Sequence, residues 1–499
     1  YRVSVLVLTY AAYTCYHLSR KPISVVKNVL NQNCSDYPLP DGIILNNITN
    51  KDNWCDWAPF GGKDSATLLG ALDSAYLFSY AISMFFSGFV AERVNLRYFL
   101  ALGMIFSGIL SYAFGIAKSY GIHQMWYFVL VQMLSGIVQS TGWPGVVTVV
   151  GNWFGKKKRG FIFGVWNSHT SMGNILGSLI AGYYVEYDWS LSFIVPGILI
   201  AGMGFILFLF LVVKPSDVGC IPPGQTSHER GFYSGYERVS TEEPTENGLS
   251  PESDDNEMVS DEQELTHRPQ REDTPIISTN VAVEKPIGFL GALKIPGVVE
   301  YSLCLFFAKL VSYTFLYWLP LYIKASTKTE TPTSSAELST WFDVGGIVGA
   351  IVAGSVSDYF GKSACTCASM LILAVPTMFL YEDYGTEGRA LNILLLNVVG
   401  FLVNGPYALI TTAVSAELGT HHSLEGNSKA LATVTAIIDG TGSIGAAVGP
   451  LLAGMVSNKG WQYVFIMLMT SSGFALLLLT RLVRREIKTS SLGHYLSWI

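Results

Sequence analysis

The run YAAYTCYHLSRKPIS, residues 10–24, places Arg20 inside the first strongly apolar stretch of the chain. A guanidinium stays protonated at any accessible pH and is costly in hydrocarbon, so it persists there only where it faces a wet cavity or an anionic partner. On a helix, Tyr13, either Tyr16 or His17, Arg20 and Ser24 fall on one stripe, while Lys21 is turned away by about 100°. A polar stripe on an apolar helix should face a central pathway. There the planar fork of Arg20 can hold two oxygens of one anion, with Tyr13 and His17 as supporting donors. Lys21, off the stripe, is open to a lipid-interface or an interdomain role.

The elements that carry this stripe are membrane helices. Half of the 499 residues are hydrophobic, 14% are charged and 49 are glycine, and mean hydropathy is +0.37. That balance is foreign to a water-soluble enzyme of this length and points to a polytopic membrane protein. The net charge of −6 says little about partners, because much of the acid lies between Glu242 and Glu264. Windows of about 20 residues find roughly twelve apolar segments, half of them between Val3 and Val213 and half between Val298 and Leu482. The first, Val3 to Val29, runs past Arg20 and Lys21 without a small-residue cleavage pattern, so it reads as a retained span. Residues 214–290 are rich in Ser, Thr, Pro, Glu and Asp, too poor in apolar surface to offset the entropy of ordering, and are expected to form a disordered linker. The expected organisation is an all-α membrane protein. An N-terminal six-helix bundle spans 1–213 with a long loop at 31–66, the linker spans 214–290, a C-terminal six-helix bundle spans 291–483, and a tail spans 484–499.

Orientation follows from the basic residues in short loops. Arg93, Arg97, the cluster Lys156 to Arg159, Lys362, Lys429, Arg481, Arg484, Arg485 and Lys488 fall on one side, which the positive-inside rule assigns to the cytosol together with both termini and the linker. The opposite side receives the loop at 31–66, with glycosylation sequons at Asn33 and Asn47 and a candidate disulfide between Cys34 and Cys55 in an oxidising compartment. Cys365 and Cys367 have the wrong spacing for a zinc or redox pair. The chain has no metal-ligand cluster, nucleophile elbow, kinase set or phosphate-cradling GxxxxGK[ST] loop, so no metal, cofactor, nucleic-acid partner or enzymatic activity is expected.

The two halves repeat a loop. GFVAERVNLR, 88–97, and GSVSDYFGK, 354–362, each set a glycine four residues before an acid, Glu92 or Asp358, with bases after it. Such a loop packs helices closely at Gly and lets the acid and bases lock the cytosolic helix ends in one state and release them in another. It resembles the loop signature of the major facilitator superfamily. With GWP at 142–144, NWFGKKKRG at 152–160, VWN at 165–167, KPSDVGCIPP at 214–223, NGPYALI at 404–410 and the Arg20-Lys21 pair, the chain resembles the organophosphate to phosphate antiporters. These include bacterial glycerol-phosphate and hexose-phosphate exchangers and the sugar phosphate exchanger and glucose-6-phosphate transporter family of animals. The likeness spans both halves and omits the first luminal loop and the linker. It implies twelve transmembrane helices in two pseudo-symmetric bundles that rock about a midplane site. It also implies exchange of a sugar phosphate, glucose-6-phosphate first, for inorganic phosphate across the endoplasmic reticulum membrane. The implied partners are those two small molecules and the lipid bilayer, and Arg20 occupies the family's phosphate-binding arginine position.

The same resemblance assigns further residues. A second cation is expected from the seventh segment; registered on Trp318 and Pro320, the bacterial arginine position is Ser312 here and the nearest cation is Lys309, one turn earlier. Lys309 could bind phosphate as a point charge or pair with Asp439. The run WNSHTSMG puts His169 fourth, where the bacterial relatives have histidine fifth, which rotates it by about 100°; it is a candidate ligand or proton-coupled group. Asn167 and Asn404 are candidates for sugar hydroxyls or helix-to-helix bonds. Asp73 and Asp343 are candidate luminal gating acids, and Trp143 and Pro144 are read as shaping the fourth segment. An empty cationic site is costly to occlude and an anion neutralises it, so obligatory exchange is the expected mechanism. Two rivals are a proton-coupled organic-anion symporter using Asp73, Asp439 or His169, and a non-transporting receptor that signals through Ser240, Ser250 or Ser253 of the linker.

Overall fold

The computed structural model describes residues 1–32, 34, 55–91, 93–154, 165–220, 289–327, 329–419 and 428–496, with no strand among them. Asn33, Asn47, Glu92, the Lys156 to Arg159 cluster and nearly all of the expected linker lie outside the described residues.

The first apolar segment is two helices, not the single one expected: α1, Arg2–Arg20, and α2, Pro22–Leu30. Pro22 has no N–H to give the carbonyl of Leu18, so the helical ladder breaks beside Arg20 and Lys21. The fourth segment is split in the same way into α5, Met125–Gln139, and α6, Gly142–Trp153; Pro144 cannot bond the carbonyl of Ser140. The rest of the first half is α3, Ser65–Ala91, α4, Leu96–Ile116, α7, His169–Val185, and α8, Leu191–Phe210. The second half begins with the short α9, Phe289–Leu293, and continues through α10, Val298–Ser326, α11, Pro332–Phe360, and α12, Ser363–Tyr384. It ends with α13, Arg389–Leu409, α14, Ser415–Gly419, α15, Ser428–Ser457, and α16, Trp461–Leu496. Among the described residues nine helices are long and apolar enough to cross a membrane. The other three apolar segments are carried by α1 with α2, by α5 with α6, and by α7.

Helix α7 lies on α1 through two glycines four residues apart. A Cβ on Gly173 would come within 2.6 Å of the Cβ of His17, and one on Gly177 within 2.7 Å of both the Leu18 carbonyl oxygen and the Cβ of Lys21. Small residues at this spacing let two backbones approach closely. The carbonyl that Pro22 leaves free is therefore buried against α7 beside the two cations.

The two halves meet toward the end of the molecule that carries the Cys34–Cys55 loop, where those cysteines are joined as a disulfide with Cα atoms 5.5 Å apart. There Gly70 of α3 packs on Pro450 and Gly454 of α15, and the Ser74 hydroxyl donates to the Ala447 carbonyl at 2.9 Å. On the other seam, Thr333 of α11 donates its N–H to Glu186 at 3.0 Å and its hydroxyl to the Gly182 carbonyl of α7 at 2.8 Å. About two turns deeper, Asn174 of α7 donates to Asp343 of α11 at 2.9 Å.

Candidate functional site

Arg20 is the last residue of α1 and only 6% exposed. Its Nε donates to Oε1 of Gln139 at 2.7 Å, and its guanidinium carbon lies 4.7 Å from the centre of the Tyr80 ring, a cation–π contact. The same Gln139 oxygen accepts from the Tyr76 hydroxyl at 2.6 Å, and the Gln139 amide donates to Ser19 at 3.1 Å. Nη2 of Arg20 is buried without a hydrogen-bond partner, and no carboxylate among the described residues pairs with the guanidinium. Arg20, Gln139, Tyr76, Ser135 and Tyr317 line a cavity of about 30 Å³.

A second cavity, about 40 Å³, lies between the halves on the far side of the Asn174–Asp343 bond from the disulfide loop. His17, Asn167, Ser312, Asp343 and Asn404 line it, with Tyr407. Asn404 accepts from the Ser312 hydroxyl at 2.6 Å. It stands two residues before Pro406, which interrupts the α13 ladder ahead of a π turn, Ile410–Val414; such interruptions free backbone and redirect side chains. The structure therefore brings His17, Asn167, Asn404 and Asp343 to one cavity and sets Arg20 on the neighbouring one.

Tyr13 and His169 line neither. They pack into an aromatic cluster with centroids 4.6 Å apart, joined by Trp143 at 5.3 Å from Tyr13 and Trp166 at 4.4 Å from His169. Trp143 thus does more than shape its helix. Lys309 also lines neither cavity: its Nζ donates to Asp439 at 2.7 Å and Ser443 at 3.4 Å, so its charge is compensated within the bundle. Asp73 pairs with Lys27, and Lys27 donates in addition to the Tyr317 carbonyl of the other half at 3.0 Å. Lys21 reaches the Leu316 carbonyl of the other half at 2.8 Å, an interdomain contact. Asp358 is exposed near the end of α11 and bonds nothing among the described residues.

Lys27, Gln139, Tyr76, Tyr80 and Asn174 were not singled out from sequence. Lys27 had a signal, since it stands seven residues after Arg20 in the same apolar segment, close to the same helical face. Gln139 and Asn174 carry no charge, and polar uncharged residues are common in packed membrane helices.

The Major Facilitator Superfamily family model matches residues 57–428 and 301–493. The chain is 57% identical over 488 residues to the glucose-6-phosphate exchanger SLC37A2 of Danio rerio, covering 98% of this chain and 93% of that one. It is 55% identical over 491 residues to the SLC37A2 exchanger of Homo sapiens, with 98% and 93% covered, and 48% identical over 502 residues to the human glucose-6-phosphate exchanger SLC37A1, again with 98% and 93% covered. Among solved structures it is similar to a D-xylose-proton symporter, with TM-score 0.59 and 11% identity over 96% of this chain and 97% of that one. It is also similar to a bacterial homologue of the human lysosomal transporter Spinster, with TM-score 0.58 and 14% identity over 97% and 93%. At those identities the structural likeness concerns the fold alone. On the sequence relatives and the family match, the chain belongs to the Major Facilitator Superfamily and, within it, to the sugar phosphate exchangers.

Proposed function

We propose that this multi-pass membrane protein exchanges a sugar phosphate, glucose-6-phosphate first, for inorganic phosphate by alternating access between its two bundles. The observation that carries the reading is the buried guanidinium of Arg20, which among the described residues has an unpartnered Nη2 and no carboxylate beside it. A phosphate supplies the missing counter-charge and two oxygens for the fork. The relatives named as glucose-6-phosphate exchangers support the choice of sugar. His17, Asn167, Ser312 and Asn404, on the adjoining cavity, offer the neutral donors and acceptors a sugar ring needs. Cavities of 30 and 40 Å³ suit a few waters, not a sugar phosphate, so substrate enters after the halves or the Arg20 side chain have moved.

In this reading the two bundles, 1–213 and 291–483, rock about the site, the 214–290 linker tethers them in the cytosol with both termini, and the glycosylated loop faces the lumen of the endoplasmic reticulum. No enzymatic step is involved. Liposomes containing the purified chain, loaded with phosphate, glucose-6-phosphate, glucose or sulfate, test the reading through uptake of labelled phosphate. Uptake supported by the first two loads alone and indifferent to a proton uncoupler is expected. Uptake driven by a proton gradient into empty liposomes would favour the symporter instead.

A further inference from the structure

Seven side chains of Asp, Glu, Lys or Arg are buried among the described residues: Arg20, Lys21, Lys27, Lys309, Asp73, Asp343 and Asp439. Lys27 is paired with Asp73 and Lys309 with Asp439, while Lys21 donates to the Leu316 carbonyl and Asp343 accepts from Asn174, so four cations face three carboxylates and one positive charge is in excess. Arg20 forms no ion pair among the described residues, and its side-chain hydrogen-bond partner is a neutral amide.

We propose that Gln139 is the residue that makes exchange obligatory. Resting on the exchange reading above, the inference is that the amide positions Arg20 without neutralising it. The empty carrier then keeps one uncompensated buried positive charge and cannot re-orient until an anion arrives. The geometry is specific. Tyr76 donates to the same Oε1 that receives Nε of Arg20, while the amide nitrogen donates to Ser19. Those donors fix which amide atom faces the arginine, and they leave Nη2 without a protein partner. A glutamate has the same shape and could accept the same two hydrogen bonds through one carboxylate oxygen. It would differ in two respects: it would lose the amide's bond to Ser19, and it would cancel the charge. Gln139 is therefore a positioning residue whose neutrality, not its shape, sets the coupling.

The test uses the full chain in liposomes and reads exchange and net flux separately. Wild type, loaded with labelled phosphate, should release it into medium containing phosphate or glucose-6-phosphate and retain it in anion-free medium. Gln139→Glu should release phosphate into anion-free medium at least about tenfold faster than wild type, and its KM for phosphate should rise about tenfold, because the arginine is competent only while unpaired. Gln139→Leu, which removes the acceptor but adds no charge, should exchange more slowly and remain strictly coupled; leak from this variant as well would mean a merely structural role and overturn the proposal. Should Gln139→Glu fail to reach the membrane, Ser135→Asp carries the same test, since Ser135 lies one turn back on α5 and lines the same cavity as Arg20. Strict exchange by wild type and by a correctly inserted acid variant alike would overturn the role of Gln139 and leave the exchange reading standing. A wild type that leaks as fast as it exchanges would overturn the exchange reading itself, and the role of Gln139 with it.

Discussion

Lys27 of α2 and Asp73 of α3 form an ion pair in which neither side chain has any exposure. Lys27 also lies 4.1 Å from the centre of the Trp318 ring and donates to the carbonyl of Tyr317, both on α10 of the other half. One buried cation thus serves a pair within the first half and a bond across the seam, so breaking it acts on stability and on the seam together.

Removing one partner leaves the other charge buried and alone, which costs about 3–5 kcal/mol, whereas replacing both by apolar groups is often neutral. Asp73→Asn should therefore lower the thermal unfolding temperature of the detergent-solubilised protein sharply. The double variant Lys27→Met, Asp73→Leu should recover most of it. The double variant should still exchange differently from wild type, because the bond to Tyr317 is gone.

Asn174 and Asp343 close the α7–α11 seam beside the cavity. A neutral-to-charged hydrogen bond of this kind contributes roughly 1.5–3 kcal/mol, enough to shift a two-state equilibrium by tenfold or more. Asn174→Ala should raise the labelling rate of a cysteine placed at Thr333, read from the disulfide-loop side. An unchanged rate would mean that the bond does not hold the seam shut.

Glu186 sits just beyond the end of α7 and holds the first turn of α11. Burial opposes its charge, but hydrogen bonds from Thr331 and Thr333 outweigh that, with the Lys324 charge adding to them, and its carboxyl lies below the usual glutamate range. A lowered acid stabilises its bound state above the unbound pKa and releases it only as pH falls through the lowered value. Acidifying the disulfide-loop side from about pH 7 to pH 5 should therefore leave Thr333 labelling unchanged relative to a fully exposed reference cysteine, which corrects for the falling thiolate fraction, while Glu186→Ala should raise it at both pH values.

Gly173 and Gly177 admit α1 to the face of α7. A leucine at 177 would meet the Leu18 carbonyl and the Lys21 stem, and overpacking of a fitted interface costs about 1–3 kcal/mol or more. Gly177→Leu should lower the yield of folded protein and its unfolding temperature more than Gly202→Leu, where a Cβ meets nothing within 4 Å.

The apolar segments and their grouping into two halves were legible in sequence because about 20 apolar residues in a row have few alternatives to a membrane helix. The break at Pro22 was also written there, since proline cannot continue the ladder, yet hydropathy alone carried the segment through to Val29. Arg20 stood out because a permanently charged group in an apolar run is expensive. Its amide partner did not, since Gln139 is 119 residues distant in the chain and its meaning depends on α5 being packed beside α1. For Lys309, residue type could not decide between substrate and Asp439; the packing of α10 on α15 brings the lysine to the carboxylate. The acid Glu92 and the sequons lie outside the described residues, and Asp358 gains no partner among them.

Whether the charge of Arg20 binds phosphate is read from counterflow in liposomes loaded with glucose-6-phosphate, comparing wild type, Arg20→Lys and Arg20→Ala. The lysine keeps the charge and loses the fork, so its kcat/KM for phosphate should fall by roughly 100-fold, and the alanine, which loses both, should show no counterflow. Counterflow by folded Arg20→Ala at the wild-type rate would mean that phosphate binds elsewhere.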